Sequence, residues 1–365
     1  MTVQQDEYDE NPFGVFLPEI RDLLPAGHAR PKDDHPLVPW KDGSHVHQWV
    51  DVDHAREQLD LFEECLRAQL TGLLLPDVGG HLVVVTGPVG MGKTTLIHRC
   101  VHRAHEYFLE LARKFREQQR PHLAPRPIVA MAGGYVNGGE DVSWDGSGHF
   151  ASTTKINAAI RNKLVETLEA EFPGIPLDPS ITGDDIRTAF RGISRLLVQQ
   201  NSLLFAIVPH IDWRDAGGEV RTNFLKTWLS HAQSRIVLFV EMSHRDRNTA
   251  REVIAGLPRE TAVTLLSLGS LATEDTVKFT EAARGGHPDR EDAPPPAIPG
   301  QVQGPKPDSD PWRDADVRYL RRQCFRIAER QRLADGRVRV TATQLTPPGL
   351  DLAGLTRDDF RPDSP

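Results

Sequence analysis

Between residues 52 and 75, "VDHAREQLDLFEECLRAQLTGLLL" carries apolar residues at helical spacing, and after Gly79-Gly80 the pattern changes to the unbroken apolar run "HLVVVTG". A run of that kind fits a strand buried on both faces of a parallel sheet. The alternation then repeats. "TTLIHRCVHRAHEYFLELARKFREQQ" predicts a long helix, "PIVAMAG" a second strand, residues 153–172 and 184–200 two helices, and "SLLFAIV" a third strand. Residues 218–232 predict a helix, "RIVLFVE" a fourth strand and "TAVTLLSL" a fifth, after which Thr273 can cap a helix running to about Arg284. Strands separated by helices predict an α/β fold, a parallel β-sheet sandwiched by helices.

The flanks read differently. Residues 1–47 are rich in Pro, His and acids and predict an irregular N-terminal arm that packs on the body. Residues 48–285 form the core. Residues 285–311 hold eight prolines, too many for regular structure, so 286–311 reads as a Pro-rich linker or exposed loop. Within 312–365, "DADVRYLRRQCFRIAERQRL" predicts a helix and "RVRVTATQL" a short strand-like piece before an acidic tail.

A length of 365 residues allows one large domain or two modest ones. No run approaches 18 consecutive apolar residues, which argues against a membrane span, and the mean hydropathy of −0.41 suits a globular chain. The acidic start "MTVQQDEYDENPFGVF" lacks the order of a secretory signal, and Cys65, Cys100 and Cys324 lie far apart with no CxxC pair. A cytoplasmic protein is the resulting expectation. The net charge of −8 gives no global attraction to nucleic acid, which is therefore not indicated as a partner.

One stretch carries specific chemistry. "GPVGMGKTT" (Gly87, Pro88, Val89, Gly90, Met91, Gly92, Lys93, Thr94 and Thr95) matches GxxxxGK[ST], with a buried strand before it and a helix after it. The glycines let backbone N–H groups turn inward around phosphate oxygens, and the helix N-terminus adds partial positive charge. Lys93 would reach the β- and γ-phosphates, and Thr94 would offer its hydroxyl to Mg²⁺. ATP with Mg²⁺ is the expected ligand.

Nucleotide hydrolysis needs acids as well, and these are hard to find. Around the Walker A loop the chain resembles AAA+ and STAND-type P-loop NTPases over about residues 50–285, with "WVDVDHAREQLDLFEECL" in the place of the family's entry segment. The resemblance implies a third strand ending in two acids, one for the Mg²⁺ water shell and one to polarise attacking water. Here "LLFAIV" runs into Val208-Pro209-His210-Ile211-Asp212, so Pro209 and His210 stand where the acids would be and Asp212 alone matches a supporting one. Three readings follow. The hydrolytic half has degenerated, leaving a switch or scaffold; or Asp212 or Glu241, at the end of "RIVLFVE", substitutes; or the acids lie elsewhere, at Asp141 and Asp145 in the Gly-rich loop of residues 133–149. His210 is also a candidate general base or γ-phosphate contact.

The same resemblance implies that 312–365 is lid-like, that Ser243 or His244 senses the γ-phosphate and that Arg284 could supply a charge to it. His98, His102 and His105 share one side of the Walker A helix, where a solvated polar face is a simpler account than a metal site. Tyr107, Phe108 and Phe115 read as core, and the arginines of the C-terminal helix as a solvated face. The functional expectation is an ATP-binding switch with weak or absent hydrolysis that works through a protein partner or self-association. An active ATPase with displaced acids, and then a P-loop kinase, are the alternatives.

Overall fold

The computed structural model describes residues 13, 37–40, 43–52, 55–75, 78–132, 152–208, 211, 218–243, 254–255, 262–282, 315–335 and 340–345. Five strands form one sheet: β1 (His81–Gly87), β2 (Arg126–Met131), β3 (Ser202–Ile207), β4 (Ile236–Ser243) and β5 (Val263–Ser267). Their order is β2-β3-β4-β1-β5, and every adjacent pair is parallel. The helices are α1 (Ala55–Ala68), α2 (Lys93–Glu117), α3 (Thr153–Glu171), α4 (Pro179–Thr182), α5 (Ile186–Gln199), α6 (Gly218–His231), α7 (Thr273–Ala282) and α8 (Val317–Asp335). This is the α/β sandwich that the alternating pattern predicts. The Gly-rich loop of residues 133–149 and the Pro-rich segment 286–311 lie outside the described residues.

The apolar runs are continuous because successive residues feed two cores. Val83, Val85, Phe205, Val237 and Phe239 face one layer, made with α1, α2, α7 and α8. Leu82, Val84, Leu204, Ala206 and Leu238 face the other, made with α3, α5 and α6. In the first layer Phe108 of α2 packs on Phe205, and Phe205 on Phe239, at ring separations of 5.8 and 6.4 Å. In the second, Trp228 is fully buried, lies edge-on to Phe190 and donates its indole N–H to Asn157 Oδ1 at 3.1 Å. That bond satisfies the one polar group of a side chain whose burial is worth roughly 3–5 kcal/mol by truncation.

Residues 37–40 and 43–52 pack along α2. Val38 N donates to His45 Nδ1, and His98 Nδ1 donates to Leu37 O at 2.7 Å. Trp40 packs on His98, Trp49 on His102, and Asp51 pairs with Arg99 at 2.6 Å. The solvated face expected for the three histidines is therefore corrected: His98 is fully buried, and His102 and His105 are half-buried. Among the described residues no group of three or more His, Cys, Asp or Glu could hold a metal ion. A second correction concerns "RVRVTATQL". Its described part forms a 3-10 turn, Ala342–Gln344, closed by Gln344 Oε1 on Thr341 N, and not a strand. No described helix is long and apolar enough to cross a membrane.

Candidate functional site

Strand β1 ends in the loop that the sequence singled out, at the C-terminal edge of the sheet, where α/β sheets bind ligands. Gly90 and Gly92 take φ values of 81° and 83°, left-handed conformations that a Cβ would strain. These turns bring the chain round so that α2 starts at Lys93 with its N-terminus beneath the loop. Leu96 N donates to Gly92 O and begins the helical ladder. The side chains of α2 that follow, Leu96, Ile97, Cys100, Val101 and Ala104, are buried against the sheet and fix the helix under the loop.

Lys93 is 3% exposed and donates to Pro88 O at 2.7 Å, within its own loop. Thr94 Oγ1 donates to Glu241 Oε2 at 2.6 Å, and Lys93 Nζ lies 3.6 Å from Glu241 Oε1. Glu241 reaches this position through the sheet order. Strand β4 lies between β3 and β1, and Glu241 pairs in register with Val85, two residues before Gly87. By strand alternation it shares a face with Val237 and Phe239, the face that α2 covers. Burial pulls the Lys93 ammonium below its usual pKa; Glu241 acts against that shift, and the charge of Arg318 adds to it.

Asp316, which the sequence did not single out, and Arg318, one of the arginines expected on a solvated face and exposed as expected, come from the start of α8. Asp316 Oδ1 accepts from Tyr319 N at 2.6 Å and caps the helix, while the same carboxyl group rests on Gly90. Val317 touches the space beside Gly92. The signal that could have found them is an Asp just ahead of an apolar-periodic helix, a cap pattern that the preceding proline-rich segment obscures. Arg321, read from sequence as part of a solvated face, is corrected: it donates to Gln48 O at 3.0 Å, and burial lowers its pKa to about 10.

Of the candidate acids, the structure brings Glu241 to Lys93 and Thr94. His210, Asp212, Asp141, Asp145, His244 and Arg284 lie outside the described residues, as do Pro209 and the Ser243 side chain. The third strand, Ser202–Ile207, and Val208 after it offer no acid. The donor set at the head of α2 is thus a hydroxyl and a carboxylate, both hard oxygen donors of the type that Mg²⁺ prefers, beside a lysine and backbone N–H groups that suit phosphate.

No family model matches the sequence, and no curated protein is similar to it. Solved structures with some likeness include an ORC2 protein of Aeropyrum pernix in ADPNP and ADP complexes, 14% identical with a TM-score of 0.43 over 80% of this chain and 65% of that one. Others are CDC6P of Pyrobaculum aerophilum (13%, TM-score 0.33, 64% of this chain and 51% of that one) and PCH-2 of C. elegans (9%, 0.30, 66% and 47%). The chain spans less than two thirds of the length of each. Likenesses at this level add nothing to what the strand order and the loop already establish.

Proposed function

We propose that the chain binds ATP with Mg²⁺ in the loop of residues 87–94 and acts as a nucleotide-dependent switch of AAA+ type, with hydrolysis weak or absent. The observation that carries this reading is the contact of Glu241 with both Lys93 and Thr94. An acid touching the hydroxyl that would ligate Mg²⁺ suits organising the metal's shell, and Glu241 does this from the fourth strand instead of the third. Thr94 and Glu241 would hold Mg²⁺, whose chemistry when bound would be to neutralise phosphate charge. Lys93 would exchange Pro88 O for phosphate, and Thr94 would turn its oxygen to the metal while Glu241 receives the metal's water ligands. The same carboxylate cannot also sit where attacking water is polarised, so the acid present serves binding better than turnover. A protein partner or a second copy would then read the changed surface.

An active ATPase is the second reading, and the same Glu241 favours it, since a displaced acid near the γ-phosphate could take over part of the missing pair's role. Nucleotide affinity and phosphate release, measured together for the wild type, Lys93→Ala and Glu241→Gln, separate the two. The switch reading expects Mg²⁺-dependent ATP binding that Lys93→Ala abolishes. Glu241→Gln should weaken the Mg²⁺ dependence roughly 10–100-fold, with phosphate release near background throughout. Release that Glu241→Gln removes would establish the ATPase instead, and wild-type binding unaffected by Lys93→Ala would exclude both.

A further inference from the structure

Gly90 has no side chain, and the space that one would fill is already taken. A Cβ built there would overlap the Asp316 carboxylate and come within 2.7 Å of the Asp316 Cβ. An acid from the start of α8 therefore lies directly on the loop that cradles phosphate. It is held there by its role as a cap, because Asp316 Oδ1 accepts from Tyr319 N and Asp316 O from Leu320 N, fixing the first turn of the helix to the carboxyl group.

Among the described residues, Lys93 has Glu241 at 3.6 Å, and Arg318 and Asp316 come from the same turn of α8 with opposite charges. A nucleotide would act on these charges unevenly. Its phosphates would draw on Lys93 and Arg318, and Mg²⁺ on Glu241, which leaves Asp316 as a negative charge pressed against a polyanion in a half-buried site. Resting on the nucleotide reading above, we propose that Asp316 competes with the phosphates. Its carboxylate occupies the approach to Gly90 and must leave it when a nucleoside di- or triphosphate binds, carrying the first turn of α8 with it. Nucleotide binding is thereby coupled to the position of α8, and part of the binding free energy is spent on moving the helix.

The test separates the charge of Asp316 from its capping. Asn and Ser both cap helices well, so Asp316→Asn and Asp316→Ser keep the acceptor for Tyr319 N and remove the negative charge. Equilibrium titration and dissociation kinetics with a fluorescent ADP analogue, with and without Mg²⁺, should show both variants binding about tenfold tighter than wild type and releasing the ligand more slowly. Hydrogen exchange of residues 315–320 in the wild type should rise when ADP is added. Wild-type binding with unchanged or weaker affinity in both variants overturns this inference and leaves the nucleotide reading standing. Binding by none of the three proteins overturns both.

Discussion

Acid should unfold this protein through two histidines, His98 and His231. Each is buried and neutral, and burial lowers each pKa from an ordinary value near 6.5 to about 4. His98 lies under the residues 37–40, its Nδ1 bonded to Leu37 O and its Nε2 without a partner among the described residues. His231 stacks on Phe190 at 4.8 Å, and among the described residues neither ring nitrogen has a hydrogen-bond partner. The unfolded chain takes up a proton at each as pH falls through 6.5, and the folded chain does not until about 4. Their contribution is therefore fully present above the unfolded value and is lost as pH falls towards the folded one. At pH 5 the loss is about 2 kcal/mol for each histidine, and ~4 kcal/mol for both if they act independently. Independence is expected because they belong to helices on opposite faces of the sheet. A loss of that size is a large part of the roughly 5–15 kcal/mol that holds a domain folded. Urea denaturation monitored by tryptophan fluorescence from pH 8 to 5 should show a falling midpoint with an unchanged m-value. His231→Phe, which keeps the stack and removes two unsatisfied nitrogens, should raise stability at pH 7 and remove about half of the acid sensitivity. A midpoint that stays level down to pH 5, or an acid slope that His231→Phe leaves unchanged, would refute the reasoning.

Two further outcomes follow from the packing. Gly80 precedes β1 where a Cβ would meet backbone, lying 2.6 Å from the carbonyl carbon of Ala232, so Gly80→Ala should destabilise by about 2–4 kcal/mol in a thermal melt, with Gly72→Ala, which meets nothing within 4 Å, as the mild control. Arg321→Ala, which removes the guanidinium bonded to Gln48 O, should speed proteolysis and hydrogen exchange of residues 43–52, and Arg321→Met should do so less because it keeps the packing of the stem.

The strands and the loop were legible because their signals are local. A strand buried on both faces reads as an unbroken apolar run, as Leu82 to Val85 do, and the glycines at 90 and 92 must stand where φ is positive. What escaped the sequence depends on segments that are remote along the chain. His98 reads as polar and solvated from its own helix, and Leu37, 61 residues away, and Trp40 cover it. Asp316 and Arg318 follow a proline-rich stretch that carries no periodicity, so nothing local ties them to a loop more than 200 residues earlier. The resemblance offered Arg284 for a charge to the phosphates, a residue outside those described, and the structure brings Arg318 near Lys93.

Glu241 falls between these cases, and the reason bears on function. Its residue type and its place at a strand end could be read from the sequence. What decides its role is the fourth strand's neighbour β1. Inserting β4 between β3 and β1 puts position 241 beside Val85 and carries its carboxylate under the loop, whereas the end of β3 is one strand further away. An acid on β4 can therefore reach Thr94 directly, and it does so at 2.6 Å. That short reach would also limit it: with a nucleotide bound as proposed, a carboxylate bonded to the hydroxyl at the head of α2 would stay beside that hydroxyl, away from the far side of the γ-phosphate where water must attack in line. On the proposed reading, the sheet order that would supply an acid for binding would withhold it from turnover, so the same glutamate would serve a switch better than an ATPase.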